Sequence, residues 1–397
     1  MQSCGNWNNG GNAGLSARNF NNNRTNSNNN TGFRGGDYLS SPDTTEVETG
    51  NIGISTPASA KYADNETTSY SHVTLEQIAD MDLLYIAFKN ASKGKRFKKS
   101  IHDFENNIAQ ELIALRDEIL SGTYHPQEPK TFTIYEPKQR EIAAPAFRDS
   151  VVQHAIYMLI YPMFDRGFIH DSYGCRIGKG THRAADKLQE QMRQCSGEEY
   201  FLQIDIRKYY YSIDHAVLRN QMAKKIYDPR VLDLVMSFVG HGDKGLHIGS
   251  LLSQFFGLVY LDQFDHWIKR HLKIKHYVRY VDDSVLTGLS SREEAKDVLK
   301  KIVSWLKERL KLVLSKWKIQ KIKRGVNFVG FRTWRSTRFL RKRSLYNFSK
   351  ALKRVKVESL MSIVGNAKRT ATFGYFIQQL ERKKNDLQIQ KVYRRFA

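Results

Sequence analysis

From Thr74 onward apolar and polar positions recur in two periods, one near 3.6 residues and one of 2, whereas the preceding stretch shows neither. Ile78, Met81, Leu84, Ile86 and Phe88 give a partly helical pattern, and Ile108, Leu112, Leu115 and Ile119 predict a helix within Ser100–Leu120. Gly122, Pro126, Pro129 and Pro137 then punctuate an extended region around Thr131–Tyr135. Val151–Phe164 reads as a buried helix, and Thr181–Cys195 as a second one behind the turn Gly178-Lys179-Gly180. Tyr200–Ile206 alternates like a strand. So do Tyr277–Val281 and Ser284–Thr287, which places Asp282-Asp283 at a hairpin tip. Strands and helices alternate to about Phe331, and the remainder is helical, with Leu345, Phe348, Leu352 and Val355 forming one apolar stripe.

Composition sharpens this division. Twelve of the first 34 residues are Asn, and such a stretch buries too little apolar surface to offset its ordering entropy, so a disordered tail and linker are expected over 1–75. The formal charge of +23 is uneven: residues 1–75 carry −2, so residues 76–397 carry +25, which points to a polyanionic partner. Cys4, Cys175 and Cys195 lie far apart with no metal-ligand spacing, so a reducing, cytoplasmic setting is expected. Apolar runs such as Ile156–Ile160 are too short to span a bilayer, and the N-terminus lacks the pattern of a signal peptide.

A lone Asp-Asp in a turn is usually only a turn. Two adjacent carboxylates between apolar strands nevertheless repel one another unless a cation neutralises them. Asp205, at the end of the Tyr200–Ile206 strand, is the natural partner. Phosphoryl transfer to a primer hydroxyl uses two Mg²⁺ roughly 3.5–4 Å apart, and such ions prefer carboxylate oxygens. Asp205, Asp282 and Asp283 supply that set if their strands lie side by side, which spacing alone does not show.

The order of motifs over residues 130–335 resembles the fingers and palm of reverse transcriptases. Asp205–His215 resembles the motif in which an Asp is followed five residues later by an aromatic, here Tyr210. The resemblance implies that Tyr210 is a steric gate against ribonucleotides and that Ile206 lends a backbone carbonyl to a metal. It also implies that Lys138 and Arg140, ahead of Pro145, Arg148 and Asp149, grip the incoming triphosphate. Arg176, Lys179 and Arg183 would touch template or primer backbone, and Tyr280 would lie beside the primer. Lys318, with Lys316 as the alternative, would assist the leaving pyrophosphate. Phe328 and Gly330 would belong to a primer-grip hairpin, and Lys350, Lys353 and Arg354 to a helix laid along the duplex.

Ile248-Gly249-Ser250-Leu251-Leu252-Ser253-Gln254 narrows the resemblance. Group II intron and retron enzymes usually carry Gln before this glycine and Pro at its end. Ile248 and Gln254 instead match the pattern of reverse transcriptases from diversity-generating retroelements, in which Ile248, Gly249 and Gln254 would line the nucleotide pocket. Members of that family copy template adenines unfaithfully. Trp7–Gly14 and Asn26–Arg34 resemble the variable stretch of C-type-lectin-fold proteins that these elements diversify, so residues 1–34 read as a translated template repeat.

The expected fold is therefore α+β, a right-hand polymerase: a disordered tail (1–75), fingers (76–200), a palm with an antiparallel sheet (201–333) and a helical thumb (334–397). The resemblance implies RNA-templated DNA synthesis with dNTPs and two Mg²⁺, with Mn²⁺ as a substitute. Implied partners are template RNA, an RNA/DNA duplex and a small basic accessory variability protein, with no membrane. Two alternatives stay open: a group II intron- or retron-type enzyme, and a non-catalytic RNA-binding protein on the same fold.

Overall fold

A computed structural model describes residues 72–135 and 139–397. Most of the expected tail, including the template-repeat segment 1–34, and Lys138 lie outside the described residues. Among the described residues Val73 is the first to be buried, and Thr74 caps the helix α1 (Leu75–Ile78) by exchanging hydrogen bonds with Gln77. The boundary drawn at 75/76 thus falls inside that helix.

Four helices come first among the described residues: α1, α2 (Met81–Ser92), α3 (Lys99–Asn106) and α4 (Ile108–Ser121). The helix expected within Ser100–Leu120 is split at Asn107. That residue leaves the helical region (ψ 29°) and its side-chain amide donates to the Asp103 carbonyl at 3.1 Å. Such local bonding is how Asn competes with a helix's own ladder. A hairpin follows, β1 (Lys130–Ile134) and β2 (Arg140–Ala144), then the buried α5 (Phe147–Asp165) and α6 (Thr181–Gln194).

A four-stranded antiparallel sheet sits at the centre, in the order β4 (His276–Tyr280), β5 (Asp283–Leu289), β3 (Tyr200–Ile206), β6 (Leu314–Lys321). Alternation along β3 sorts its side chains between two cores. Leu202, Ile204 and Ile206 join a large core with α5, α7 (His215–Met222), α8 (Pro229–Met236), α9 (Leu251–Arg270) and α10 (Arg292–Leu310). Phe201 and Val285 face the other way, into a second core with α6 and the small sheet β7 (Val326–Phe328), β8 (Phe331–Thr333), β9 (Arg338–Leu340). Helices α11 (Lys342–Lys353), α12 (Val357–Ala367), α13 (Thr372–Glu381) and α14 (Leu387–Phe396) complete that second core through Phe348, Leu360, Phe376 and Val392. The architecture is mixed helix and antiparallel sheet, as expected. Among the described residues no helix is long and apolar enough to cross a membrane.

Candidate active site

The open end of the central sheet's second face carries the acidic residues. Asp205 and Asp283 are direct partners across β3 and β5, and both belong to the side-chain set that faces away from the large core. Tyr280 pairs with Asp283, leaving Val281 and Asp282 as a two-residue turn between β4 and β5. The adjacency that spacing left undecided is therefore a cross-strand pair, whose side chains lie within a few ångströms of each other.

Burial and the neighbouring Asp282 and Asp205 charges push the Asp283 carboxyl up to about 7, against a hydrogen bond from Gln203 and the positive charge of Arg341. Gln203 donates to Asp283 Oδ1 at 2.9 Å and to the Asn327 carbonyl at 2.8 Å, tying the site to β7. On β6, Lys316 Nζ lies 3.1 Å from Asp205 Oδ2, and the Ser315 hydroxyl donates to the same oxygen at 3.0 Å.

A profile of the reverse transcriptase (RNA-dependent DNA polymerase) family matches residues 129–333, more than half of the chain. The chain belongs to the reverse transcriptases. Protein YkfC of Escherichia coli is 28% identical over 289 residues, covering 60% of this reverse transcriptase and 74% of that protein. The group II intron-encoded protein LtrA of Lactococcus lactis is 26% identical over 210 residues, covering 49% of this chain but only 34% of LtrA. Among solved structures, the telomerases of Candida albicans (TM-score 0.43, 14% identity, 68% of this chain and 55% of that one) and Candida tropicalis (TM-score 0.42, 12% identity, 74% and 67%) are similar.

Among the described residues no three His, Cys, Asp or Glu side chains converge as a metal-binding group, so the acidic cluster is not a preformed cage. The donors nonetheless fit Mg²⁺. They are hard oxygens, and the surroundings already call for positive charge, as the raised Asp283 carboxyl and the Lys316 ammonium on Asp205 both show. Two such ions need few protein carboxylates each, because phosphate and water complete their shells.

Several expected contacts fall elsewhere. Arg176, expected on nucleic acid, is 7% exposed and spends its guanidinium inside the protein. It donates to Asp165 Oδ1 at 2.7 Å and to the carbonyls of Ile169 and Ser172, so it holds the chain between α5 and α6 in shape. Tyr280 and Phe328 are buried in the second core, which gives both a packing task rather than a primer contact. Lys318, two residues along β6, pairs with Gln203 rather than an Asp, and burial together with Arg332 and Arg324 lowers its pKa. Lys316 is thus the lysine at the acidic end; the phase was illegible because Ser315, Lys316 and Trp317 are all exposed on this edge strand, so no buried alternation marks a face. We expect Lys316→Gln to slow primer extension several-fold more than Lys318→Gln. Because the Lys316 side chain is 73% exposed, stability should change by less than about 1 kcal/mol, measurable by thermal melting. The reverse order of rates would return the role to Lys318.

The structure positions the remaining candidates as follows. Tyr210 lies in a short turn (Tyr209–Ser212) beneath the site, where burial raises its hydroxyl pKa well above the usual value and the Asp282 charge adds to the shift. Its ring packs on Gly257, where an added Cβ would come within 3.3 Å of it. Ile206 closes β3 opposite Leu314. Gly249, at φ +128°, lies so close to β2 that a Cβ would sit 2.7 Å from the Ala143 carbonyl oxygen. The Ile248 carbonyl accepts from the Ala143 amide at 2.8 Å, which joins this loop to the β1–β2 hairpin that carries Arg140. Gln254 is 4% exposed, and its Nε2 has no hydrogen-bond partner among the described residues. Lys179 lies over the Tyr173 ring and donates to the His170 carbonyl, while Arg183 donates to the Gly178 carbonyl. Val329 and Gly330, both at positive φ, make the β7–β8 turn. Lys350, Lys353 and Arg354 are exposed on the side of α11 away from Phe348 and Leu352.

Residue-type reasoning missed Gln203, Ser315 and the proximity of Arg341 to Asp283. Gln203 had a usable signal, since it stands two positions before Asp205 on one strand and must share its face. It also missed the buried pair of Arg279 and Asp265, each 1% exposed, under the acidic turn.

Proposed function

We propose that this reverse transcriptase copies the template-repeat RNA of a diversity-generating retroelement into cDNA with reduced fidelity at adenines, for mutagenic retrohoming. The RNA template and nucleotide substrates come with the family. The observation that carries the finer reading is the segment from Ile248 to Gln254, which departs from the Gln and Pro usual in intron and retron enzymes. In support, Ile248 abuts the β1–β2 hairpin, and Gln254 presents a buried amide with an unused donor in the first turn of α9.

In this reading 76–200 serves as fingers, 201–333 as palm and 334–397 as thumb. Asp205, Asp282, Asp283 and the Ile206 carbonyl would hold two Mg²⁺, for which Mn²⁺ could substitute. Ions held there would supply Lewis-acid activation of the attacking hydroxyl and charge neutralisation at the triphosphate. The chain's own residues do the rest. Arg140 and Lys138 grip the triphosphate, Tyr210 excludes the ribose 2′-hydroxyl, and Lys316 stands ready to offset charge on the departing pyrophosphate. Lys350, Lys353 and Arg354 follow the duplex phosphates. A basic accessory variability protein and a cytoplasmic location belong to the same proposal.

A second reading, a group II intron-type polymerase, draws on the likeness to LtrA. Sequencing cDNA made on an RNA template separates the two. Reverting Ile248→Gln and Gln254→Pro should lower misincorporation opposite adenine several-fold with little change elsewhere. An adenine error rate that is already low, or that the reversion leaves untouched, would sink the retroelement reading and leave the polymerase intact.

A further inference from the structure

The turn that presents Asp282 is held in a conformation its sequence resists. Val281 has φ +56°, a left-handed geometry that a β-branched residue rarely adopts. Two restraints meet there. Arg279, on the face of β4 opposite Tyr280, donates from Nη1 to the Val281 carbonyl at 2.8 Å. Its Nε donates to Asp265 Oδ1 at 2.7 Å, and that carboxylate, on α9, also accepts from the Tyr277 hydroxyl at 2.7 Å. From the side, the segment before α6 runs along β4. The Asp171 carbonyl accepts from the Arg279 amide at 3.0 Å, and the Tyr173 amide donates to the Arg279 carbonyl at 2.9 Å. Gly174 then lets Val281 approach so closely that a Cβ there would lie 2.6 Å from both Val281 Cγ2 and its amide nitrogen.

A fully buried Arg–Asp pair is a poor way to gain stability, because apolar residues of similar volume usually do as well. Its geometry gives it a different use: a planar guanidinium engages the carboxylate and the turn carbonyl at once, which neither Lys nor an apolar side chain reproduces. We infer that Arg279, oriented by Asp265, is the positioning residue that fixes the Val281 turn and thereby aims Asp282 and Asp283 at the metal site. This rests on the reading of Asp205, Asp282 and Asp283 as the catalytic carboxylates. Without the clamp Val281 relaxes toward negative φ, and Asp282, the next residue, swings with it.

The test is primer extension by the full chain carrying Arg279→Met together with Asp265→Asn, where Asn keeps an acceptor for Tyr277 and no buried charge is stranded. Asp283→Ala runs in parallel. The double variant should melt within roughly 5 °C of wild type, yet lose about ten-fold or more in kcat with little change in the dNTP KM. Adding Val281→Gly, which removes the resistance to positive φ, should then restore about three-fold or more of the loss. Wild-type kcat in the double variant overturns the proposal. So does a loss of activity that merely tracks the loss of folded protein, or one that Val281→Gly leaves unchanged. If Asp283→Ala itself extends primers normally, the reading of the carboxylates fails, whatever the Arg279 variant does.

Discussion

Asp283→Ala, and separately Asp205→Asn, should reduce primer extension on an RNA template by on the order of 10³-fold or more while leaving the protein folded. The stability half of this expectation comes from the site itself. Burial and the two neighbouring carboxylates push the Asp283 carboxyl up to about 7. An acid whose folded pKa lies above its unfolded value favours folding most while protonated. That contribution is full at pH below about 4 and is lost as pH rises through 7. At pH 8 and without divalent metal, ionised Asp283 is therefore a burden on the fold, and alanine should melt at the same temperature or higher. Mg²⁺ should reverse the order by stabilising wild type and not the variant. Melting curves at pH 8 with and without Mg²⁺, beside the extension assay, check both halves. Full extension by either variant would overturn the assignment.

Gly249→Ala is the second large effect. The new Cβ would meet the Ala143 carbonyl oxygen at 2.7 Å, a backbone atom that cannot swing aside, and φ +128° is closed to alanine in any case. Strain and overpacking together should cost about 2–5 kcal/mol, or displace the loop from β2 and break the bond between the Ala143 amide and the Ile248 carbonyl. Either route moves Ile248, so extension should fall even where folded protein remains. A variant with wild-type melting temperature and wild-type dNTP KM would show that the loop tolerates what the contact forbids.

How far the chain could be read without coordinates depended on how local each signal was. The strand carrying Asp205 and the two strands flanking the acidic turn were legible because period-2 alternation and a short turn are local features, although the turn lies at Val281-Asp282, one residue earlier than expected, with Asp283 already in β5. Their pairing was not, since the partners are contributed by strands with α7, α8 and α9 between them. The split at Asn107 escaped the helical pattern because the apolar stripe continues across it, and one side-chain bond decides the break. Lys316 and Lys318 are indistinguishable by period on an edge strand without a clear buried face. Arginines were the hardest. Arg176 and Arg279 look in sequence like any basic residue of a nucleic-acid binder, and only Asp165 and Asp265 on other elements reveal them as internal struts. Positive charge in such a chain is therefore a census of two populations, and only burial separates them.

The side chain of Gln203 bonds at once to Asp283 and to the Asn327 carbonyl. One amide nitrogen thus belongs to both the acidic pair and the β7–β8 hairpin. Thermodynamic linkage then requires reciprocity: whatever shifts the hairpin alters how readily Asp283 gives up its proton, and whatever loads Asp283 alters how firmly the hairpin is held. In a polymerase with this connection, the position of the β7–β8 hairpin and the charge state of Asp283 cannot be set independently.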